Sequence, residues 1–416
     1  MRQSSGPRNW PTFPWWAGVQ QRFLALPSIT RRVVVLTIVS LAVLARYVAQ
    51  TLPYNYDFQS YLIVSETVLA GGSAYETYRY NYGPAWFLIL AALRSLFDDP
   101  GIFRLAVTAV LTVTDLAIAR FLWVKGFAAA AMLFLLLPVS ISISGNHHQF
   151  DNLALLLGFW AAHQIQHSRH ALPSSRRFAF GLVLLSASLI VKHILIVFPI
   201  WLAIQERGAR RYLLLCISPA LWFMSLIPSL LRTPRAVIEN VFLYSSFNNA
   251  PLANLLLPSP LVDFLVAASL LVALFLGTMV VIGVVYRELD AVTSVLVYSV
   301  AVLLFSSAVA DQYLAIPLAA MAVFLNAGFA LWLLGAVVYF WGELSATAIS
   351  IGLLRLPSLA LGNYQTYQVV PLLVGAWLMH STLVAQVRTG GAGKTLGQWT
   401  RLPRATAVSH GDDWNG

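Results

Sequence analysis

The 416-residue chain has a single cysteine, Cys216, and very little charge: Asp, Glu, Lys and Arg together make up 10% of it. One thiol excludes an internal disulfide and with it the disulfide-stapled scaffolds. Set against 59% hydrophobic residues and a mean hydropathy of +0.74, so little charge also excludes an ordinary soluble enzyme and a disordered chain. Lysine is scarce too: Lys125, Lys192 and Lys394 are three among 26 basic residues. The net charge of +10 sits in short clusters between apolar runs and at the two ends. That is the positive-inside pattern of a membrane protein, and it speaks against a nucleic-acid partner. The fold class expected is all-α, a polytopic membrane protein.

A crossing helix needs roughly 20 apolar residues. Runs of that kind lie near 32–50, 102–124, 126–143, 150–166, 211–230, 261–285, 291–309 and 368–388. Arg2, Arg8, Arg22, Arg31 and Arg32 precede the first run and no small-residue cleavage site follows it, so it reads as an uncleaved span. Four basic groups are assigned to the cytoplasm: the N-terminus, Arg169 to Arg177, Arg207 to Arg211, and the tail from Arg388 to Arg404. Chain joining two such groups must cross an even number of times. Parity therefore makes Gly83–Phe97, too short to cross, a half-inserted or interfacial helix. It makes 178–205 a hairpin of two short helices with Lys192–His193 near its outer turn. With two short crossings over 312–341, about twelve crossings are expected. The domain reading is a basic cytoplasmic N-terminus at 1–31, one membrane domain at 32–388 with an outer loop and interfacial helices at 51–101, and a cytoplasmic tail at 389–416. The outward segments would be 51–82, 144–151, 191–194, 231–260, 310–312 and 342–367, and they hold almost every unusual polar residue.

Asp57 opens a pattern of helical spacing from Phe58 to Ala70 that Gly71–Gly72 stop, as for an amphipathic interfacial helix. Asp57 either caps that helix or acts chemically. SGNHHQFDN places His147, His148, Gln149, Asp151 and Asn152 at a helix N-terminus, a place suited to an anion, or else a solvated loop that caps the next helix. Lys192 and His193 interrupt an apolar stretch, where a cation requires a partner. The alternatives are a phosphate or an ion pair with Asp115, and both need an internal polar site. Arg46 is expected to snorkel outward. ENVFLYSSFNNAP and ADQYLAIP add polar groups at outer span ends, and Arg355 is a further candidate phosphate ligand. GGAGK at 390–394 lacks the full phosphate-loop pattern and a preceding strand.

Taken together, these segments resemble the GT-C superfamily of membrane glycosyltransferases. AYETYRYNYGP (Ala74 to Pro84), behind its acidic start at Asp57, is similar to the glycosylphosphatidylinositol mannosyltransferases. GNHHQFDN, VKHILIVFP and ADQYLAIP resemble the His-Phe-Gln-Tyr-Asn, Lys-Gln-Met and His-Glu-Lys segments of the dolichyl-phosphate-glucose-dependent glucosyltransferases. The mannosyltransferases' acidic pair is Asn55-Tyr56-Asp57 here, a single carboxylate.

The resemblance implies an inverting transfer of a hexose, mannose ahead of glucose, from a polyprenyl-phosphate donor to a glycan or glycolipid acceptor on the extracytoplasmic side. Asp57 would be the general base. Lys192, His193, His148 and Arg355 would hold the donor phosphate, and His147, Gln149, Asp151, Asp311, Gln312 and Tyr80 would bind substrate. No cofactor beyond the lipid donor is required; no metal ligand is assigned, and divalent metal dependence stays open. Short loops fit a bacterial plasma membrane, with both termini cytoplasmic. The alternative is a lipid-linked glycan flippase or other polytopic transporter, although no internal repeat is legible. A purely structural membrane subunit leaves Lys192 and the His pair unexplained.

Overall fold

In the computed structural model the described residues are 13–168, 175–244, 257–267, 270–287, 289–305, 311–346, 350–351 and 354–355. They are helical apart from one two-residue antiparallel pair, Ser350–Ile351 with Leu354–Arg355. In chain order the helices are α1 (Pro14–Ala25), α2 (Ser28–Ala49), α3 (Tyr56–Leu69), α4 (Pro84–Leu96), α5 (Pro100–Val124), α6 (Ala128–Leu136), α7 (Pro138–Ser142), α8 (Asp151–His167), α9 (Arg176–Val191), α10 (Phe198–Gln205), α11 (Ala209–Arg232) and α12 (Pro234–Val237). They continue with α13 (Ser259–Ala267), α14 (Leu270–Val285), α15 (Ala291–Phe305), α16 (Leu318–Met321) and α17 (Ala327–Ala346).

Three helices, α2, α5 and α11, are long and apolar enough to cross a membrane. The number rises to five if Ala128–Leu136 with Pro138–His147, bent by 58°, and Ser259–Leu265 with Leu270–Val285 each count as one broken span. About twelve crossings were expected; by length and composition the described residues supply three to five, and the expected span at 368–388 lies outside them. The apolar faces of α2 and α11 point outward, with Leu36, Leu44, Phe223 and Leu231 exposed, as helices in contact with lipid tails require.

Cross-links between elements define two ends. At one end Lys125 meets His163, Gln166 reaches Leu289 O (3.1 Å) and Arg210 donates to Ser168 O (2.7 Å). At the other, Arg104 donates to Leu52 O (2.7 Å), Lys192 meets Asp151 (2.8 Å), and Asn240 donates to Tyr75 O (3.0 Å). The chain from Arg176 to Arg210 runs out to Lys192 and comes back, as the charge pattern requires. Its arms keep different neighbours, α9 against α8 and α11, α10 against α11 and α14. Lys192 leaves the helix in an extended conformation (φ −153°, ψ 124°), and after a short turn at His193–Leu195 α10 restarts with Pro199 in its first turn, where a missing N–H is tolerated. α4 lies on α3 and the Lys192 end of α9 without being long enough to cross.

Arg46 does not snorkel. It is 1% exposed and its guanidinium lies 2.9 Å from Asp115, which is 0% exposed. Further Arg46 donors reach Ala42 O, Leu135 O and the Ser140 hydroxyl. Ser144 (2.5 Å) and Asn152 (2.6 Å) donate to the two Asp115 oxygens. One ion pair thereby ties α2, α5, α7 with its π-helical continuation, and α8. Arg46→Met should lower stability by about 3–5 kcal/mol, because it strands a buried carboxylate. Arg46→Met with Asp115→Asn should lower it less, as read from unfolding midpoints in mixed micelles.

Candidate functional site

The site forms where α3, α8, α9 and the 311–315 turn meet. α3 begins at Tyr56, and Asn55 is its cap: the Asn55 carboxamide oxygen accepts from Phe58 N (2.9 Å). Asp57 is therefore not the cap. It stands in the first turn, where a carboxylate also suits the positive helix end.

GNHHQFDN folds by an equally local route. Ile143–His147 form a π-helical turn, and His148 ends it in the left-handed region (φ 57°). Gly145 is needed there because a Cβ would come within 2.8 Å of Arg46 O. The reversal sends Gln149 and Asp151 toward Lys192 and His148 away from it. α8 starts at Asp151 behind Phe150, which gives no side-chain cap, so the expected Asp or Asn cap is absent. Asp151 instead pairs with Lys192, and Asn152 with Asp115.

Lys192 is thus paired with Asp151 and not with Asp115. Both are almost fully buried, 1% and 0% exposed, and their charges lie 2.8 Å apart. The ammonium also approaches Gln149 Oε1 (3.4 Å) and lies over the rings of Tyr82 (4.5 Å), Phe150 (5.0 Å) and Tyr313 (5.4 Å). Aromatic faces stabilise a desolvated cation without cancelling its charge. Gln149 Nε2 is buried with no hydrogen-bond partner among the described residues. The rings are held by their own packing: Phe150 stacks on Trp86 (4.4 Å) and meets Tyr82 edge-on (4.9 Å).

Asp57 belongs to the same cluster electrostatically. Burial first, and then the Asp57 carboxylate, hold the Tyr61 and Tyr82 phenols well above their ordinary range, and Asp151 adds to both. The Asp57 and Asp151 carboxylates therefore act electrostatically on the same pair of tyrosines. The Arg79 guanidinium lies 4.8 Å from the Tyr56 ring centroid, with Nη1 buried and unpartnered among the described residues.

The remaining expected ligands are dispersed. Burial, and next the Arg104 guanidinium, push His148 down to about 3, so it is neutral. Its Nε2 lies 3.1 Å from Thr108 and 3.4 Å from Arg104. His193 faces Trp222 (5.9 Å) on α11. His147 is buried in the π-helical turn. Tyr80 is consumed by structure: its hydroxyl donates to Gly83 O (2.5 Å) and accepts from Phe87 N (3.1 Å), fixing the start of α4. Gln312 is half-buried in the turn that presents Tyr313. The backbones of Asp311 and Arg355 lie in that turn and in the short antiparallel pair, and their side chains are outside the described residues.

Sequence reasoning missed Arg79, Arg104, Tyr82, Phe150 and Tyr313. Arg104 carried a signal: Arg104, Thr108, Thr112 and Asp115 recur at helical spacing along α5, and all are buried. Among the described residues no group of three or more His, Cys, Asp or Glu is placed to hold a metal ion. No protein-family model matches the chain, and neither a curated protein nor a solved structure is significantly similar to it.

Gly83→Ala tests how this wall is built. A Cβ at Gly83 would fall 1.9 Å from Ile190 O, a backbone atom two residues before Lys192. The substitution should cost about 1–3 kcal/mol or more through overpacking. Thermal unfolding would measure it, and an unchanged midpoint would contradict the close approach of α4 to α9.

Proposed function

We propose that the protein is an inverting membrane hexosyltransferase of GT-C type, with a polyprenyl-phosphate sugar as donor and Asp57 as general base. The observation that supports this reading is the grouping of Asp57 with Asp151, Lys192 and a set of tyrosines at one end of an apolar helical bundle. Asn55 takes the capping role, so Asp57 is not needed as the cap of α3.

In the reaction, Asp57 accepts the proton of an acceptor hydroxyl as that oxygen attacks the anomeric carbon. The bond from that carbon to the phosphate oxygen breaks on the opposite face, and the lipid phosphate departs with the bonding pair. A base works only within hydrogen-bond reach of the proton it takes. Charge grows on the departing phosphate, so preorganised cations stabilise it. Lys192 is assigned that part. Neutral His148, engaged by Arg104 and Thr108, is the weaker of the expected phosphate ligands. The preference for mannose over glucose rests on Ala74 to Pro84 alone, and the extracytoplasmic placement rests on the charge pattern. The return of the chain from Lys192 to Arg210 fits a topology in which Asp57 and Lys192 share the outer face.

Purified protein in detergent, given polyprenyl-phosphate-mannose and polyprenyl-phosphate-glucose with membrane lipid extract, should transfer sugar. Asp57→Asn should slow transfer by at least about 100-fold, the size of a general-base effect. Transfer at the wild-type rate by Asp57→Asn would remove Asp57 as the base. Absence of turnover with a verified acceptor would favour the flippase.

A further inference from the structure

Lys192 cannot have two roles at once. Its ammonium is 1% exposed and already carries a counter-ion, Asp151, 2.8 Å away and itself 0% exposed. A lipid phosphate arriving at Lys192 meets a pair that is neutral as a whole. Adding an anion beside an intact pair would leave net negative charge in a desolvated place, which is costly. The carboxylate has to give way.

Three features make the exchange feasible. The ammonium lies over the rings of Tyr82, Phe150 and Tyr313 and near Gln149 Oε1, contacts that hold the cation in position whichever anion faces it. Lys192 stands at the extended break after α9, outside any helix, so its side chain is not locked against a preceding turn. Asp151 is the first residue of α8, a helix of 17 residues whose N-terminus has no side-chain cap. A carboxylate released there still stands at the positive end of the helix. Gln149 Nε2, buried and unpartnered among the described residues, supplies a donor from which a phosphate oxygen could accept.

Building on the glycosyltransferase reading, we infer that Asp151 is the resident counter-ion of Lys192 and that the phosphate of a polyprenyl-phosphate displaces it, so that Asp151 sets how tightly the lipid phosphate is held. Asp151 is on this account a positioning residue. It keeps Lys192 in place between turnovers and weakens phosphate binding enough for the lipid phosphate product to leave.

The test compares binding of polyprenyl phosphate and of uncharged polyprenol to the full chain in detergent. Asp151→Asn should bind polyprenyl phosphate at least about tenfold more tightly than the wild type, since the phosphate then re-pairs a stranded cation. Its affinity for polyprenol should stay the same, a contrast that a purely structural role would not produce. Equal or weaker binding of polyprenyl phosphate by folded Asp151→Asn overturns the exchange. Should that variant fail to fold, Asp151→Asn with Lys192→Met removes both charges. It should lose the preference for polyprenyl phosphate over polyprenol, and retention of the wild-type preference overturns the exchange as well. Sugar transfer by the wild type separates the two ideas. Transfer with no gain in affinity in Asp151→Asn leaves the glycosyltransferase and rejects the exchange; a gain without any transfer does the reverse.

Discussion

A carboxylate at the middle of an apolar helix has no water to turn to, and Asp115 governs much of this fold for that reason. Every polar atom on it must be matched by another element. Arg46 from α2 supplies the charge, and Ser144 and Asn152 supply hydrogen bonds to the two oxygens. Helix packing in a bilayer lacks the hydrophobic drive that water provides, so such polar matches and close backbone contacts do more of the specifying. Gly145 belongs to the same logic: without a Cβ there, α2 passes within contact of the π-helical turn.

That node leads directly to the site. Asn152, held by Asp115, is the neighbour of Asp151, held by Lys192. The first turn of α8 is thereby pinned on two adjacent residues, one to the structural pair and one to the candidate site. The π-helical turn and the left-handed His148 rotate the polar run GNHHQFDN so that alternate members face different partners. π-helical turns often mark functional positions, because the extra residue re-aims side chains that a regular helix would lock in place. The opposite end uses the same chemistry for a structural purpose: Arg210, paired with Glu206, donates to the last carbonyls of α8.

Much of the architecture was legible in the sequence. The all-α class followed from composition, and α2, α5 and α11 followed from the length of their apolar runs. The hairpin around Lys192 followed from charge parity, and the helix after Asp57 from its spacing and the Gly71–Gly72 stop. Pairings were not legible. Asp115 was one of two alternatives for the partner of Lys192, a phosphate being the other, because both residues are isolated charges in apolar stretches, yet each found another partner. A capping role for Asp57 was one of two readings because Asp favours that place, yet Asn55, two residues earlier, is equally able and occupies it. Tyr80 was a substrate ligand only by resemblance, and its hydroxyl serves the start of α4.

By itself, then, the sequence determined what had to be buried, roughly where the helices run, and which few charged residues needed a partner. Apolar length and hydrogen-bonding capacity are properties of a segment and can be read from it. Which charge meets which was decided by the tertiary structure alone, because pairing depends on the rotation of each helix about its axis and on single-residue offsets such as the π-helical turn. Asp151 and Lys192 are 41 residues apart in the chain and 2.8 Å apart in space. Only the packing of α8 against α9 brings them together, with Phe150 at the start of α8 and Tyr82 and Tyr313 from two further segments around the ammonium.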